Sequence, residues 1–204
     1  MTVTAQRRQS VRNALIAAAE RAVAERGLAG FKARELAAEA DCAVGAIYNV
    51  FEDLDELVMV VNARTLADLE RVLIAGQPTG PLDSEDAAID RLVCLGTSYL
   101  QFVVSNLPRW RALFDHRLPP GRDVPRWLLE EQVRLFGFIE EPLGLLQPQA
   151  TARRRALLAR SMFSAAHGVI TLGVEEKLGE LPHPVLREQV VFIVTALGRG
   201  LLRS

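Results

Sequence analysis

The sequence has little of what marks a disulfide scaffold, a metal site or a redox protein. Its 204 residues include two cysteines, Cys42 and Cys94, which lie far apart in apolar surroundings. Disulfide frameworks and zinc sites need cysteines or histidines at short, paired spacings. We therefore expect two reduced thiols in a cytosolic compartment, with no metal and no cofactor.

Long hydrophobic runs are also missing. The longest apolar stretch, residues 190–197, is far shorter than the roughly 20 residues that cross a bilayer as a helix. The first segment, MTVTAQRRQS, is polar and basic with no apolar run behind it, whereas a secretory signal carries such a run at that place. We expect a cytoplasmic protein that makes no membrane contact.

An excess of basic charge, common in nucleic-acid-binding proteins, is absent as well. The net charge at pH 7 is −1, so the chain as a whole is not attracted to nucleic acid. The charges are unevenly distributed, however. Residues 1–34 carry seven Arg or Lys against two acids, a net charge of +5, whereas residues 35–57 carry seven acids and no base. Attraction to a negatively charged partner is therefore confined to the first segment.

Apolar residues recur at helical spacing through most of the chain, and no segment shows the alternation typical of strands. Asp53 and Glu56 match a helix-capping box, and Pro142 should kink or end the helix that contains it. No internal repeat is present. The pattern predicts an all-α fold of roughly nine helices, at residues 6–26, 34–40, 44–50, 53–73, from 84 onward, 109–114, 126–146, 151–178 and 184–202.

Residues 7–60 combine a long first helix closed by Gly27, a short alanine-rich helix (ELAAEA), a tight turn at Asp41 and a third helix with Gly45 and Tyr48. This combination resembles the N-terminal domain of the TetR family of transcriptional regulators. The resemblance implies a helix-turn-helix DNA-binding domain at residues 1–53 and a helical ligand-binding and dimerisation domain at residues 54–204. It also implies a homodimer, because two recognition helices then read the half-sites of a palindromic operator.

The expected recognition helix departs from the family in its side chains. Members usually carry hydroxyl or ammonium groups near Ala43, Val44 and Ala46, and glycine at the position of Asp41. The hydroxyl and ammonium groups bind phosphates, which position a protein on the duplex and supply much of its affinity. Two alternatives follow for this chain.

In the first alternative, cations upstream hold the phosphates while the recognition helix contacts bases largely through apolar groups, including thymine methyls. In the second, the acids after Phe51 repel DNA, and the chain is a dimeric ligand- or protein-binding module with weak or lost DNA binding. Acids at a helix N-terminus usually cap the helix, which favours the first alternative. Its DNA-binding candidates are Arg7, Arg8, Arg12, Lys32, Arg34, Ala43, Val44, Gly45, Tyr48 and Asn49.

Beyond residue 60 the chain is rich in aromatic residues. Most of them belong to a core, but a pocket between helices is a common ligand site. The run MFSAAHGVITLGVEEKLG, residues 162–179, resembles a TetR-family C-terminal domain type with a His-Gly pair preceded by an aromatic. His167 is then the best polar candidate for an effector pocket, and a buried, hydrogen-bonded imidazole is the alternative. The candidate effector residues are Tyr99, Phe102, Trp110, Phe114, Trp127, Phe163 and His167.

Catalytic spacing is not found. His167 or His116 with Glu175 or Asp115 would be the available acid–base groups, and their spacing sets up no nucleophile, base and orienting group. We therefore expect a protein that is not an enzyme.

The last helix is apolar on nearly every side between residues 190 and 197. A surface helix needs only one apolar stripe, so the excess indicates burial on two sides. One side is the helix's own domain, and a second copy is the candidate for the other. Small residues on the preceding helix would permit close approach. A four-helix interface made by the last two helices of each copy is also what the resemblance implies. The candidate dimer residues are Ser161, Ser164, Ala165, Gly168, Val190, Ile193, Val194, Leu197 and Leu201.

The sequence thus predicts a homodimeric, ligand-responsive transcriptional regulator. The resemblance favours a repressor that leaves its operator when a small, largely apolar effector binds, because the effector prefers one state of the dimer.

Overall fold

The computed structural model describes residues 3–177 and 179–203. Within these residues the chain forms nine α-helices and no strand, which confirms the predicted all-α fold. A 3₁₀ turn, Gly27–Gly30, follows α1. Another, Val44–Ala46, directly precedes α3, so together they make the short helix predicted at 44–50. The helices are α1 Val3–Arg26, α2 Ala33–Glu39, α3 Ile47–Val50, α4 Leu54–Ala75, α5 Glu85–Ser105, α6 Leu107–Asp115, α7 Arg126–Leu146, α8 Ala152–Val174 and α9 His183–Leu201.

α7 ends at Leu146, as predicted, and continues through Pro142, because proline removes one backbone donor and the flanking turns keep theirs. α8 ends at Val174, before the predicted end at Leu178. Leu178 lies outside the described residues, as do Met1, Thr2 and Ser204 at the outer limits of the predicted domains.

Helices α2 and α8 both end in a six-residue hydrogen-bonded turn of the Schellman type, with a residue other than glycine in the left-handed position. After α2, Asp41 has φ of 51°, its N–H donates to Ala38 O, and Cys42 N–H donates to Ala37 O. After α8, Glu176 has φ of 53° with the equivalent pair of hydrogen bonds. Glycine usually occupies this position because a side chain is strained there.

The chain divides into two compact units that do not follow the predicted boundary at residue 53. The N-terminal unit consists of the chain up to Asp68 together with Asn106–Leu129, so it includes α6 and the loop after it. The C-terminal unit consists of Leu69–Ser105 and the chain from Glu130 onward. Each unit is therefore assembled from segments that are distant in sequence.

The N-terminal unit has a core of small and branched apolar residues. α1 contributes Leu15, Ile16 and a run of alanines, while α6 contributes Ala112, and all are at most 1% exposed. Small alanine side chains let α1 approach the other helices closely. The remaining core positions come from α2, α3 and α4 and the residue after α3, at Leu36, Ala37, Ile47, Phe51, Leu57 and Val61.

In the C-terminal unit α5 packs against α9, and glycines bring the helices together. A Cβ added at Gly96 of α5 would lie 3.1 Å from Val190 Cγ1, and one added at Gly173 of α8 would lie 2.5 Å from Leu186 Cδ1. By length and composition alone, α5 and α8 are each apolar enough to cross a bilayer. For α5, burial against α9 accounts for that composition, since core helices share it.

Candidate nucleic-acid interface and effector site

The predicted recognition helix buries one face and exposes the other. Ile47 and Phe51 are 0% and 3% exposed, because they pack into the core between α1, α2 and α4. The residues on the opposite side point outward, with Val44 38% and Tyr48 55% exposed. The predicted DNA-facing residues of this segment all lie on this exposed face, which is made of Ala43, Val44, Gly45, Tyr48 and Asn49.

The upstream cations fall into two groups. Arg7, Arg8 and Arg34 are exposed and form no ion pair with any residue that the structure describes. Lys32 Nζ lies 2.9 Å from Glu35 Oε1, and its hydrogen bond is the main reason why the pKa of Glu35 lies below its usual range. The arginines are thus available to phosphates, whereas Lys32 would have to exchange a carboxylate for one.

Arg12 has a different environment from the other predicted DNA contacts. It is half-buried, and its guanidinium carbon lies 5.0 Å from the ring centre of Phe51. A cation over an aromatic face is attracted by the ring quadrupole. Arg12 therefore ties α1 to the residue that ends the recognition helix, and a phosphate would have to be reached from that position.

The acids after the recognition helix are held by the N-terminal unit itself. Asp53 Oδ1 accepts a 2.8 Å hydrogen bond from the Glu56 N–H, as the predicted cap requires. Glu56 Oε2 accepts from the Glu52 N–H at 2.5 Å rather than from that of Asp53. Capping thus explains two of the acids through contacts that are local in sequence.

Two residues of the loop between α6 and α7 also contact the carboxylates that follow the recognition helix. Arg122 donates to Asp53 Oδ2 and contacts Glu52 at 3.4 Å, and His116 Nε2 lies 2.9 Å from Asp55 Oδ1. Desolvation raises the pKa of Asp53, but the hydrogen bonds from the Glu56 N–H and Arg122 outweigh it, so this pKa lies below its ordinary value. Arg122 was not a predicted site residue, since 69 positions separate it from Asp53. In the sequence, the one indication of such a cation is that the acids of residues 35–57 have no base among them.

In the C-terminal unit, three predicted effector residues lie together. Tyr99 OH is 2.9 Å from His167 Nδ1, and the ring centres of Phe163 and His167 are 5.2 Å apart. Phe136 of α7, which was not among the candidates, packs edge-on against Phe163 at 5.6 Å. Burial lowers the pKa of His167, so its imidazole is neutral at pH 7. The cluster is an aromatic site with a neutral, hydrogen-bonded pair at its centre.

The remaining effector candidates lie elsewhere. Phe102 is 2% exposed in the core of the same unit. Trp110, Phe114 and Trp127 belong to the N-terminal unit. There Trp110 is 2% exposed and packs against Phe114 with ring centres 5.5 Å apart. Tyr99, Phe163 and His167 are therefore the candidates that form the aromatic cluster of the C-terminal unit.

The predicted dimer residues divide between an outward and an inward face. On α8 the small residues Ser161 and Ser164 are exposed, and Ala165 and Gly168 are half-buried. On α9, Leu197 is exposed, and Ile193 and Leu201 are half-buried. Val190 and Val194 are only 0% and 2% exposed, which corrects their assignment to an outer surface, because their methyls pack against Gly96 of α5.

The outward face also contains residues that were not predicted. Phe192 of α9 is 73% exposed, far more than expected for an aromatic residue in a helix of this unit. Leu157 and Leu172 of α8 are 51% and 42% exposed and lie on the same side of α8 as Ser161, Ser164 and Gly168, at helical spacing. Large exposed apolar side chains on adjacent helices are typical of a protein–protein interface.

The described residues contain no group of three or more His, Cys, Asp or Glu placed to hold a metal ion. Both cysteines are free thiols. Burial and, second, the charge of Asp41 raise the pKa of Cys42, which disfavours the thiolate needed for metal binding or nucleophilic attack.

Comparison with known proteins assigns both parts of the chain. The family described as "Bacterial regulatory proteins, tetR family" matches residues 15–60, and the one described as "Tetracyclin repressor-like, C-terminal domain" matches residues 92–197. No curated protein sequence matches the chain.

Solved structures share its fold. One is a Rhodococcus sp. RHA1 protein of unknown function, with 22% identity, a TM-score of 0.65, and coverage of 95% of this chain and 94% of that one. Another is a Clostridium perfringens protein proposed to be a fatty acid metabolism regulator, with 18% identity, a TM-score of 0.62, and coverage of 90% and 97%. A third is a TetR-like transcriptional regulator from Rhodococcus sp. RHA1, with 17% identity, a TM-score of 0.59, and coverage of 95% and 97%.

Proposed function

Since the chain belongs to the TetR family of DNA-binding transcriptional regulators, which are not enzymes, we propose that it is a homodimeric repressor released from its operator by a small, largely apolar effector. The observation that carries the proposal is the exposed face of the recognition helix, where Val44, Tyr48 and Asn49 point away from a fully packed core. A recognition helix needs such an exposed face, because its side chains contact base edges directly.

On DNA, the exposed arginines Arg7, Arg8 and Arg34 bind phosphates and the recognition helix reads bases. Val44 contacts thymine methyls, Asn49 hydrogen-bonds a base edge or a phosphate, and Tyr48 hydrogen-bonds a phosphate. This division of roles predicts affinity that depends strongly on salt and specificity that does not come from charge.

The direct test of DNA binding is selection of bound fragments from a random DNA pool, which yields the operator at the same time. With that operator, Arg34→Ala should lower affinity across all sequences and reduce the salt slope by about 1.8, because each dimer loses two phosphate contacts of about 0.9 each. Arg153→Ala, which removes one exposed charge from α8, is the matched control and should leave the slope unchanged. An unchanged slope in Arg34→Ala would reject its phosphate contact.

Dimerisation is proposed to occur through α8 and α9, with Phe192 as the anchor. An anchor residue of this kind, at the centre of an interface, contributes about 2 kcal/mol or more. Phe192→Ala should therefore shift sedimentation equilibrium toward the monomer by at least about thirtyfold in dissociation constant. Ile74→Ala, which removes a 55% exposed side chain from α4, should have no effect. If both variants dimerise like the wild type, the interface lies elsewhere.

The effector is proposed to bind at the cluster of Tyr99, Phe163 and His167, with Phe136 as a further wall. Apolar rings and a neutral hydrogen-bonding pair favour an uncharged ligand with at least one polar group. Operator complexes can be challenged with a panel of neutral aromatic and aliphatic compounds. A compound that releases the wild type should fail on His167→Ala while that variant still binds the operator.

The sign of regulation is tested by transcription in vitro from a promoter carrying the selected operator. Repression relieved by the effector is expected. Selection that yields no specific sequence at any dimer concentration would instead favour a dimeric ligand- or protein-binding module. A regulator of this kind acts in the cytoplasm, where the DNA is.

A further inference from the structure

We propose that Arg122, in the loop between α6 and α7, is required for full DNA affinity because it neutralises the carboxylates that follow the recognition helix. The inference rests on the proposed DNA binding and adds a residue to it that is not on the reading face. Arg122 sits 73 positions after Asn49 in the chain, yet the fold brings its guanidinium to the end of the segment that carries Asn49.

The contact geometry shows that Arg122 serves several carboxylates at once. Its Nη1 hydrogen-bonds Asp53 Oδ2 and lies 3.9 Å from Asp55 Oδ2, while its Nη2 lies 3.4 Å from Glu52 Oε2. Among the described residues, Arg122 is the one permanent cation in contact with these acids. His116 contacts Asp55 as well, but its charge depends on pH.

Asp53 has a structural role of its own, because its carboxylate caps α4. Asp53 Oδ1 accepts the Glu56 N–H, and that hydrogen bond satisfies a backbone donor at the first turn of α4. The same carboxylate therefore brings a stabilising cap and an unwanted negative charge near the DNA-reading face. Arg122 takes the second oxygen and offsets the charge without disturbing the first.

The acids are close enough to DNA for this to matter. Asp53 is four residues beyond Asn49, so their Cα atoms lie within about 14 Å even in an extended chain. The Debye length is about 10 Å at 0.1 M salt, so phosphates bound at the reading face are only partly screened from the cluster. Glu52, whose side chain is 79% exposed, adds to the repulsion if Arg122 is lost.

The test measures operator affinity of the full-length dimer, with the selected duplex as the probe. The salt concentration is varied over about 0.05–0.3 M, a range in which the Debye length falls from above 10 Å to below 8 Å. Arg122→Ala is expected to bind about three- to tenfold more weakly at the lowest salt, with the deficit shrinking as salt rises. Arg122→Lys should retain most of the affinity because the charge is kept. Arg117→Ala is the matched control. It removes an exposed arginine from the same loop that forms no ion pair with the described residues, and should bind within about twofold of the wild type.

The decisive variant is the double substitution Arg122→Ala with Asp53→Asn. Asparagine caps a helix about as well as aspartate but carries no charge, so the double variant should recover affinity to within about twofold of the wild type. If Arg122→Ala binds like the wild type, or if its deficit persists in the double variant, the inference is wrong. Persistence with unchanged folding would mean that Arg122 contacts DNA itself, and persistence with lost folding would mean that it only holds the loop.

Failure of the proposed function looks different. In that case the wild-type dimer selects no sequence from the pool. No operator affinity can then be compared between the variants, and both proposals are rejected. If the wild type selects an operator and Arg122→Ala is unaffected, only the inference about Arg122 falls.

Discussion

Replacement of Asp41 by glycine is expected to stabilise the N-terminal unit, although most substitutions destabilise a protein. Asp41 has φ of 51° in the turn between α2 and the recognition helix, and the turn's two hydrogen bonds hold it there. Its side chain is exposed, so its removal opens no cavity. Glycine adopts this conformation without the contact between Cβ and the carbonyl oxygen that strains other residues.

The size of the effect is a difference of two terms. A left-handed conformation costs a residue with a side chain about 1–2 kcal/mol, and less for aspartate, which tolerates it better than most. Glycine loses about 0.5–1 kcal/mol more conformational freedom on folding. The net gain should be about 0.5 kcal/mol in the free energy of unfolding. For an m-value near 2 kcal/mol/M, this is about 0.25 M in the urea midpoint.

Tryptophan fluorescence is suited to this measurement. The chain has two tryptophans, Trp110 and Trp127, and both lie in the N-terminal unit. Trp110 is 2% exposed, so unfolding transfers it from the core to water. A urea titration followed by fluorescence therefore reports on the unit that contains Asp41.

Two further variants separate strain from charge. Asp41→Asn removes the charge but keeps a side chain at the same φ, so its midpoint should lie below that of Asp41→Gly. Both remove one negative charge from the helix-turn-helix and should raise operator affinity equally. Glu176→Gly relieves the same strain in the C-terminal unit. Both tryptophans lie in the other unit, so fluorescence does not report this change. A midpoint for Asp41→Gly at or below that of Asp41→Asn would refute the reasoning.

Four other substitutions test the packing, the aromatic cluster and the cap. Gly173→Ala should destabilise the C-terminal unit by about 1–3 kcal/mol, because its Cβ would lie 2.5 Å from the buried Leu186. The exposed helical Gly137, with no atom within 4 Å of an added Cβ, should instead gain about 0.5–1 kcal/mol as alanine; circular dichroism during urea unfolding measures both. Tyr99→Phe removes the 2.9 Å hydrogen bond to His167 and should cost about 1 kcal/mol in the same assay, and an unchanged midpoint would show that the bond is not stabilising. The lowered pKa of Asp53 contributes stability that is full above its unfolded value near 3.8 and is lost as the pH falls through the lower folded value. Asp53→Asn should therefore reduce the loss of stability in acid, and an identical acid titration by fluorescence would contradict the assignment.

Local features of the sequence predicted much of the architecture. The spacing of apolar residues predicted the helices, because the helical period relates residues that are only three or four positions apart. The caps at Asp53 and Thr151 are formed by hydrogen bonds over three positions, as caps must be. The reading face of the recognition helix followed in the same way, because burial of Ile47 and Phe51 on one side leaves Val44 and Tyr48 on the other.

Pattern alone was ambiguous where a helix is apolar on several sides. For α9 it indicated two buried faces without saying which residues belong to each. The structure turns Val190 and Val194 inward and Phe192 outward. The deciding feature is Gly96 on α5, whose missing side chain makes room for the two valines, and that pairing joins helices distant in the chain.

The sequence by itself determined the helical class, the helix-turn-helix and the acids that cap α4, because each depends on interactions within a few residues. Only the tertiary structure decided what offsets those acids. Arg122 reaches Asp53 across 69 positions, and His116 reaches Asp55 across 61. An ion pair has no period or spacing along the chain, so its partners become known only when folding brings them together.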